Sequence, residues 1–311
     1  MIQAVLMVAV LGQASSLNFD GAWEYAKVRG SDAMVVMVDG KVVHRAGDVD
    51  DRNQILASGT KSFCAVAMAC AVQDGKVSGW HEKLEVALPE WKDDARGDIT
   101  YRQLLSLSSG IGGESPGGSL AAPTEEQILA AKQVFPAGRR FLYGPMPFNV
   151  FSLALERKLG GEKLHEFLER RVFGPLEMKV SYGGRQVEGR VQVAGMGRCS
   201  PNDWVKLGEL MWRNGKLGDK QMWDAQAYSE SQKQQGAGTQ YGLTHWLSPE
   251  ANPRTGGGTG SAVPMFLAAG AGKQLLIVIP SEKMVVVRTG RDRGSEGEFS
   301  GSEMFKILTK G

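Results

Sequence analysis

Five short apolar, β-branched runs sit near the two ends of this 311-residue chain, and the stretch between them carries helix signals instead. Near the start, residues 33–47 (AMVVMVDGKVVHRAG) hold two such runs around Asp39-Gly40, a dipeptide suited to a tight hairpin turn. Near the end, MFLAAG, KQLLIVIP and KMVVVRTG add three more, punctuated by Gly270, Gly272 and Pro280. Strands cannot leave their backbone groups unpaired, so the two sets are expected to share one antiparallel sheet.

The intervening chain reads as helical. Residues 58–73 are apolar and helix-forming up to Asp74-Gly75, and Thr100 and Thr124 are each followed three residues later by glutamine, the capping-box spacing. Ser200-Pro201 puts proline at a first helical position, residues 148–172 carry a long helical pattern broken at Gly160-Gly161, and 299–310 read as a closing amphipathic helix. Residues 255–260 are glycine-rich and read as a loop; no internal repeat is present. The expected fold class is α+β: an antiparallel β-sheet flanked by helices, with an inserted, mostly helical lobe. One bilobal domain over 20–311 is expected, its sheet lobe from about 20–57 and 236–311 and its helical lobe from about 58–235. The cleft between the lobes is the natural place for a site.

Lysine and arginine number 36 against 34 acidic residues, spread without a basic block, which argues against nucleic acid and for a small-molecule or peptide-like partner. Cys64, Cys70 and Cys199 make no disulfide framework and read as small core residues. His44, His81, His165 and His245 lie far apart without metal-ligand spacing, so no metal is expected. Residues 1–19 form an N-terminal apolar segment, with no charge before Asp20 and with Gly12 and Ala14 spaced as for a signal cleavage. This favours a secreted or periplasmic location over a cytoplasmic one. The segment is too short to span a bilayer. Oligomeric state is not legible.

One tetrapeptide carries chemistry. Ser58-Gly59-Thr60-Lys61 is the only Ser-x-x-Lys in the chain. A serine hydroxyl needs a neighbouring base to act as a nucleophile, and a lysine at i+3 on a helix lies within reach. The helix N-terminus favours a developing oxyanion and disfavours a lysine cation. On these four residues alone, a capping serine with a solvated lysine is the more ordinary reading.

The surrounding sequence shifts that balance. ILASGTKSFCAVAMACAVQDGKVSGWHEKLEVALPEWK, followed by DITYRQLLSLSSGI, resembles the class C β-lactamase-like serine hydrolases, which include D-alanyl-D-alanine carboxypeptidases, esterases and amide hydrolases. The similarity continues through FPAGRRFLYGPMPFNVFSLALERKLGG, GMGRCSPNDWVKLGELMWRNGKLGDKQMW and FLAAGAGKQLLIVIPSEKMVVVRTG, and spans roughly residues 33–292. The resemblance implies that Ser58 is the nucleophile, Lys61 its activator and Tyr143 a proton shuttle, with a phenol pKa lowered by the lysine cation. It also places Ala268-Ala269-Gly270 at the family's third motif, with the N–H groups of Ala271 and Ser58 as the oxyanion hole. Two departures stand out: Pro145 where the family has asparagine, and Ala268 where class C enzymes have lysine. Pro145 cannot hold a substrate amide and argues against an efficient β-lactamase or peptidase, the missing lysine argues against penicillin-like carboxylates, and esters and simple amides remain open.

Two rival motifs fail. Gly113-Glu114-Ser115-Pro116-Gly117 fits G-x-S-x-G, but Pro116 lacks the N–H that motif needs for its oxyanion. Gly270-Ala271-Gly272-Lys273 is followed by Gln274 and a strand, unlike a phosphate loop. The expected function is therefore a cofactor-free serine hydrolase acting through an acyl-enzyme. Penicillin-binding or β-lactamase-type activity, and a catalytically impaired binding module, are the alternatives. The cleft is expected to be shaped by loops 112–123, 182–198 and 236–262.

Overall fold

The computed structural model of the protein describes residues 17–116, 118, 120–235, 240–247 and 265–310. The glycine-rich 255–260 segment, residues 1–16 of the apolar N-terminus and most of loop 236–262 therefore lie outside the described residues. The strands from the two chain ends do form one antiparallel sheet. Its members are β1 (Ser31–Val38), β2 (Lys41–Gly47), β3 (Phe266–Gly270), β4 (Gln274–Ile279) and β5 (Met284–Gly290), in the order β2-β1-β5-β4-β3. The first and last thirds of the chain thus meet at the centre, where β1 pairs with β5 (Val35 opposite Val287, Val36 opposite Val286). Asp39 and Gly40 adopt φ of 47° and 77°, the two left-handed positions that their hairpin requires. A bulge between Val36 and Met37 shifts the β1–β2 register, and nothing in the local sequence announces it.

The helices used below are α1 (Phe19–Lys27), α2 (Ser62–Gln73), α3 (Tyr101–Leu105), α4 (Glu125–Leu129), α5 (Met146–Lys158), α6 (Pro201–Trp212) and α7 (Gly301–Thr309). Strands β1, β3, β4 and β5 are buried on both faces, which is why they read as nearly unbroken apolar runs. One face, the row Val36–Val286–Ile277–Leu267, packs with Ala22 and Ala26 of α1 and Met304, Phe305 and Leu308 of α7. Helix α1 has no counterpart in the sequence reading. The other face, Val35–Val287–Leu276–Ala268, joins the main core with α2 and α6. Gly208 of α6 lies so close to the sheet that a Cβ there would come 2.4 Å from Val285, so this contact requires glycine. Helix α2 is apolar all round and correspondingly buried, with free Cys64 and Cys70 among its core residues.

Both threonine capping boxes form. Thr100 Oγ1 accepts from Gln103 N while Gln103 Oε1 accepts from Thr100 N, and Thr124 with Gln127 does the same, each cap stabilising its helix by about 1 kcal/mol. Ser200 caps α6 through Asp203 N, with Pro201 in the first turn. Gly160 and Gly161, both at positive φ, end α5. A buried ionic cluster ties the helical lobe together: Glu156 of α5 accepts from Arg190 Nε at 2.9 Å, and Arg190 also binds Glu125 of α4 and Glu188. Arg190 leads into residues 194–197, which back the site. Among the described residues no helix is long and apolar enough to cross a membrane.

Candidate active site

Ser58 lies in a 3₁₀ turn, Ala57–Lys61, and α2 begins only at Ser62; this corrects the expectation of one α-helix over 58–73. In a 3₁₀ turn residues i and i+3 eclipse, which stacks Lys61 over Ser58 more directly than an α-helix would. The turn starts from a strained residue, since Ala57 has φ of 46°. Neighbours far away in sequence hold that strain. Leu56 N donates to Gly197 O at 2.9 Å, and Thr60 Oγ1 donates to Ala57 O and accepts from Gly197 N. The end of β3 presses on the same point, where a Cβ on Gly270 would come 2.1 Å from Leu56 O.

Lys61 is 4% exposed. Its Nζ donates to Ser58 Oγ at 3.0 Å and to Ala194 O at 2.5 Å, and lies 5.1 Å and 5.3 Å from the ring centres of Tyr143 and Phe148. Burial lowers its pKa to about 7. Cys64 would oppose that fall only as a thiolate, and burial pushes its own pKa up, so at neutral pH it is an uncharged thiol. Ala194 is a contribution that the sequence reading missed; it acts through a backbone carbonyl, which leaves no side-chain signature.

The Tyr143 ring centre lies 5.1 Å from Lys61 Nζ. The tyrosine is 36% exposed, while Phe141, Tyr241 and Trp246 pack around its ring at centroid distances of 6.0–6.5 Å. Burial raises its pKa above the ordinary value, the Ser58 side chain opposing that rise. The expected lowering is thereby overturned: a lysine that titrates near 7 is a weak source of positive field, and desolvation dominates. Tyr241 and Trp246 were also missed. Trp246 is carried on the edge of β3, exchanging backbone hydrogen bonds with Leu267 at 3.0 and 2.8 Å.

Pro145 precedes the first residue of α5, and its carbonyl accepts from Phe148 N and Asn149 N. Asn149, one turn on, donates its amide to Ser115 Oγ at 3.3 Å. Ser115 is buried in a turn with neither a strand before it nor a helix after it among the described residues, in keeping with rejection of the G-x-S-x-G reading. Gly270 ends β3, Ala271 opens the hairpin turn beyond it, and β4 follows directly, so the Gly-Ala-Gly-Lys segment is a hairpin and not a phosphate loop. The structure therefore gathers Ser58, Lys61, Tyr143 and the Gly270 end of β3 at one point. Of the expected cleft loops, 112–123 is fastened near that point: a Cβ on Gly144 would come 2.1 Å from Gly113 O, and Gln192 Nε2 donates to Gly118 O and Ala121 O. Among the described residues no cluster of His, Cys, Asp or Glu is arranged to hold a metal ion.

The sequence matches the Beta-lactamase family over residues 19–303. Similar solved structures include a provisionally assigned beta-lactamase from Bacteroides dorei DSM 17855, with TM-score 0.76 and 19% identity, covering 94% of this chain and 98% of that one. Another is a provisionally assigned 6-aminohexanoate-dimer hydrolase from Bacillus anthracis (TM-score 0.72, 17% identity, 92% and 80% covered). A third is a penicillin-binding protein homologue from Caulobacter crescentus (TM-score 0.72, 13% identity, 94% and 95% covered). At these identities the likeness shows the fold. No curated protein matches the chain. With its match extending over nearly the whole sequence, the chain belongs to the beta-lactamase family and is a serine hydrolase.

Proposed function

We propose that the protein hydrolyses a small ester or simple amide through an acyl-enzyme on Ser58, with Lys61 as general base and Tyr143 as proton donor. The observation that carries this reading is the buried Lys61, 3.0 Å from Ser58 Oγ and with a pKa of about 7. As a cation it donates to the hydroxyl; once neutral, its lone pair faces the same oxygen and accepts the proton. Matching a base to the operating pH in this way contributes about 10²–10⁴-fold in rate.

Ser58 Oγ attacks the carbonyl carbon as its proton passes to Lys61 Nζ, and the carbonyl π pair moves onto oxygen. The N–H groups of Ser58 and Ala271 receive that oxyanion, each donor being worth about 10²–10³-fold. Collapse re-forms the carbonyl and breaks the bond to the leaving group, which takes the Tyr143 proton; Tyr143 is then reprotonated from Lys61. Water attacks the ester on Ser58, its proton going to the same groups, and Ser58 is restored. A raised phenol pKa suits Tyr143 to donating.

Pro145 and Ala268 favour esters and simple amides over β-lactams, since neither offers a donor for a substrate amide or carboxylate. The aminohexanoate-dimer hydrolase among the similar structures supports keeping amides in the set. The test is a panel of p-nitrophenyl acetate, p-nitrophenyl butyrate, D-amino-acid amides and a chromogenic cephalosporin, run with Ser58→Ala as control. Ester turnover that disappears in Ser58→Ala is expected; equal rates in both proteins would overturn the reading. Intact-mass detection of a penicillin adduct on Ser58 tests the penicillin-binding alternative.

A further inference from the structure

The turn that carries Ala271 is strained, and it is held from behind. Gly272 and Lys273 adopt φ of 78° and 59°, two consecutive left-handed residues, the second of them not glycine. Arg288 of β5, with no exposed surface, donates from Nη1 to Gly272 O at 2.7 Å and to Lys273 O at 3.0 Å. Its Nη2 donates to Arg291 O and its Nε to Ser31 Oγ, both at 2.6 Å, and its guanidinium lies 4.2 Å from the Phe299 ring centre. Beside it, Gln274 brackets Gly290, donating from Nε2 to its carbonyl and accepting at Oε1 from its N–H. A buried arginine is ordinarily matched by a carboxylate. Here the bonds go instead to three carbonyls and a hydroxyl, two of those carbonyls on the residues that follow Ala271.

Arg288 pairs across the sheet with Met34 and Leu275, on the face that packs under α1 and α7. That face is opposite the one bearing Ala268 and the cleft. It therefore reaches the turn from the far side of the sheet and cannot meet substrate. We propose that Arg288 is a positioning residue that locks the Gly270–Lys273 turn so that Ala271 N–H is aimed at the oxyanion. This rests on the assignment of Ala271 as an oxyanion donor.

The test exploits sulfur, a poor hydrogen-bond acceptor beside oxygen. Wild type, Arg288→Lys and Arg288→Gln are assayed on p-nitrophenyl acetate and on its thionoester analogue, with melting temperatures measured in parallel. Wild type is expected to prefer the oxo-ester strongly. In Arg288→Gln, kcat for the oxo-ester should fall about 10- to 100-fold while the thionoester rate and both KM values stay within about threefold, so that the preference collapses. Arg288→Lys should fall in between. Equal losses on both substrates would mark Arg288 as merely structural and overturn the proposal, as would an unchanged preference. Absence of any preference in wild type would instead remove the oxyanion role of Ala271, and the proposal with it. If Arg288→Gln does not fold, Ser31→Ala, which withdraws the Nε acceptor, should lower the oxo-ester preference by a smaller factor; no change there would overturn the proposal.

Discussion

Lys61 Nζ and Ser58 Oγ are 3.0 Å apart in a pocket that leaves the lysine almost wholly dehydrated. The second acceptor on that amine is the Ala194 carbonyl, a dipole without net charge. Dehydration without a counter-ion lowers the lysine pKa to about 7, and this single consequence governs both the proposed chemistry and the stability of the site.

The rate should follow Lys61 titration. A base must be unprotonated, so kcat/KM is expected to climb about tenfold per pH unit below pH 7 and level off above it. At strongly alkaline pH it should fall again as Tyr143, whose pKa is raised, loses the proton it donates. Stopped assays across pH 5 to 11 check this; a rising limb centred in the carboxylate range would assign the base elsewhere.

Lys61 should also cost stability. Its pKa is about 7 when folded and near 10.5 when unfolded. Below pH 7 both states carry the charge and the folded state bears the full penalty; between the two values the unfolded chain binds more protons, so stability rises with pH. Lys61→Met should therefore be inactive yet more stable by a few kcal/mol at pH 6, the gain shrinking towards pH 10. Urea unfolding at both pH values measures it, and a variant less stable at pH 6 would refute the penalty.

Ser115 offers a control within the competing motif. Ser115→Ala should keep activity within about twofold and lose about 1 kcal/mol, the value of its bond from Asn149. A loss of activity comparable to Ser58→Ala would reinstate the rejected motif.

Pro145 is expected to limit amide hydrolysis. Its φ of −79° and ψ of −29° are open to asparagine, so Pro145→Asn can be made without backbone strain. Gaining one hydrogen bond to a substrate amide should raise amide over ester turnover about tenfold. Parallel kcat/KM values on matched amide and ester substrates decide; an unchanged ratio would show that Pro145 does not limit amide turnover.

Much of the fold was legible because it is written in short-range chemistry. Asp39-Gly40 demands a left-handed turn wherever it lies, and Thr100 with Gln103 satisfies its own helix end without outside help. Burial of the end-of-chain strands on both faces was legible in the same way, as runs with no polar alternation. Helix α1 escaped because its stabilising surface is supplied by the assembled sheet and by α7, which lies some 280 residues further along the chain.

The sequence by itself determined that Ser58 and Lys61 stand one short turn apart, that strands from both ends share a sheet, and that Pro145 and Ala268 depart from the family pattern. Only the tertiary structure decided that Lys61 is dehydrated beside Ser58. Gly197 and Gly270 clasp the Ser58 turn into its 3₁₀ form, and residues from separated segments wall off Lys61 from water. Protonation follows desolvation, and desolvation is a property of packing, which no local pattern of residues contains.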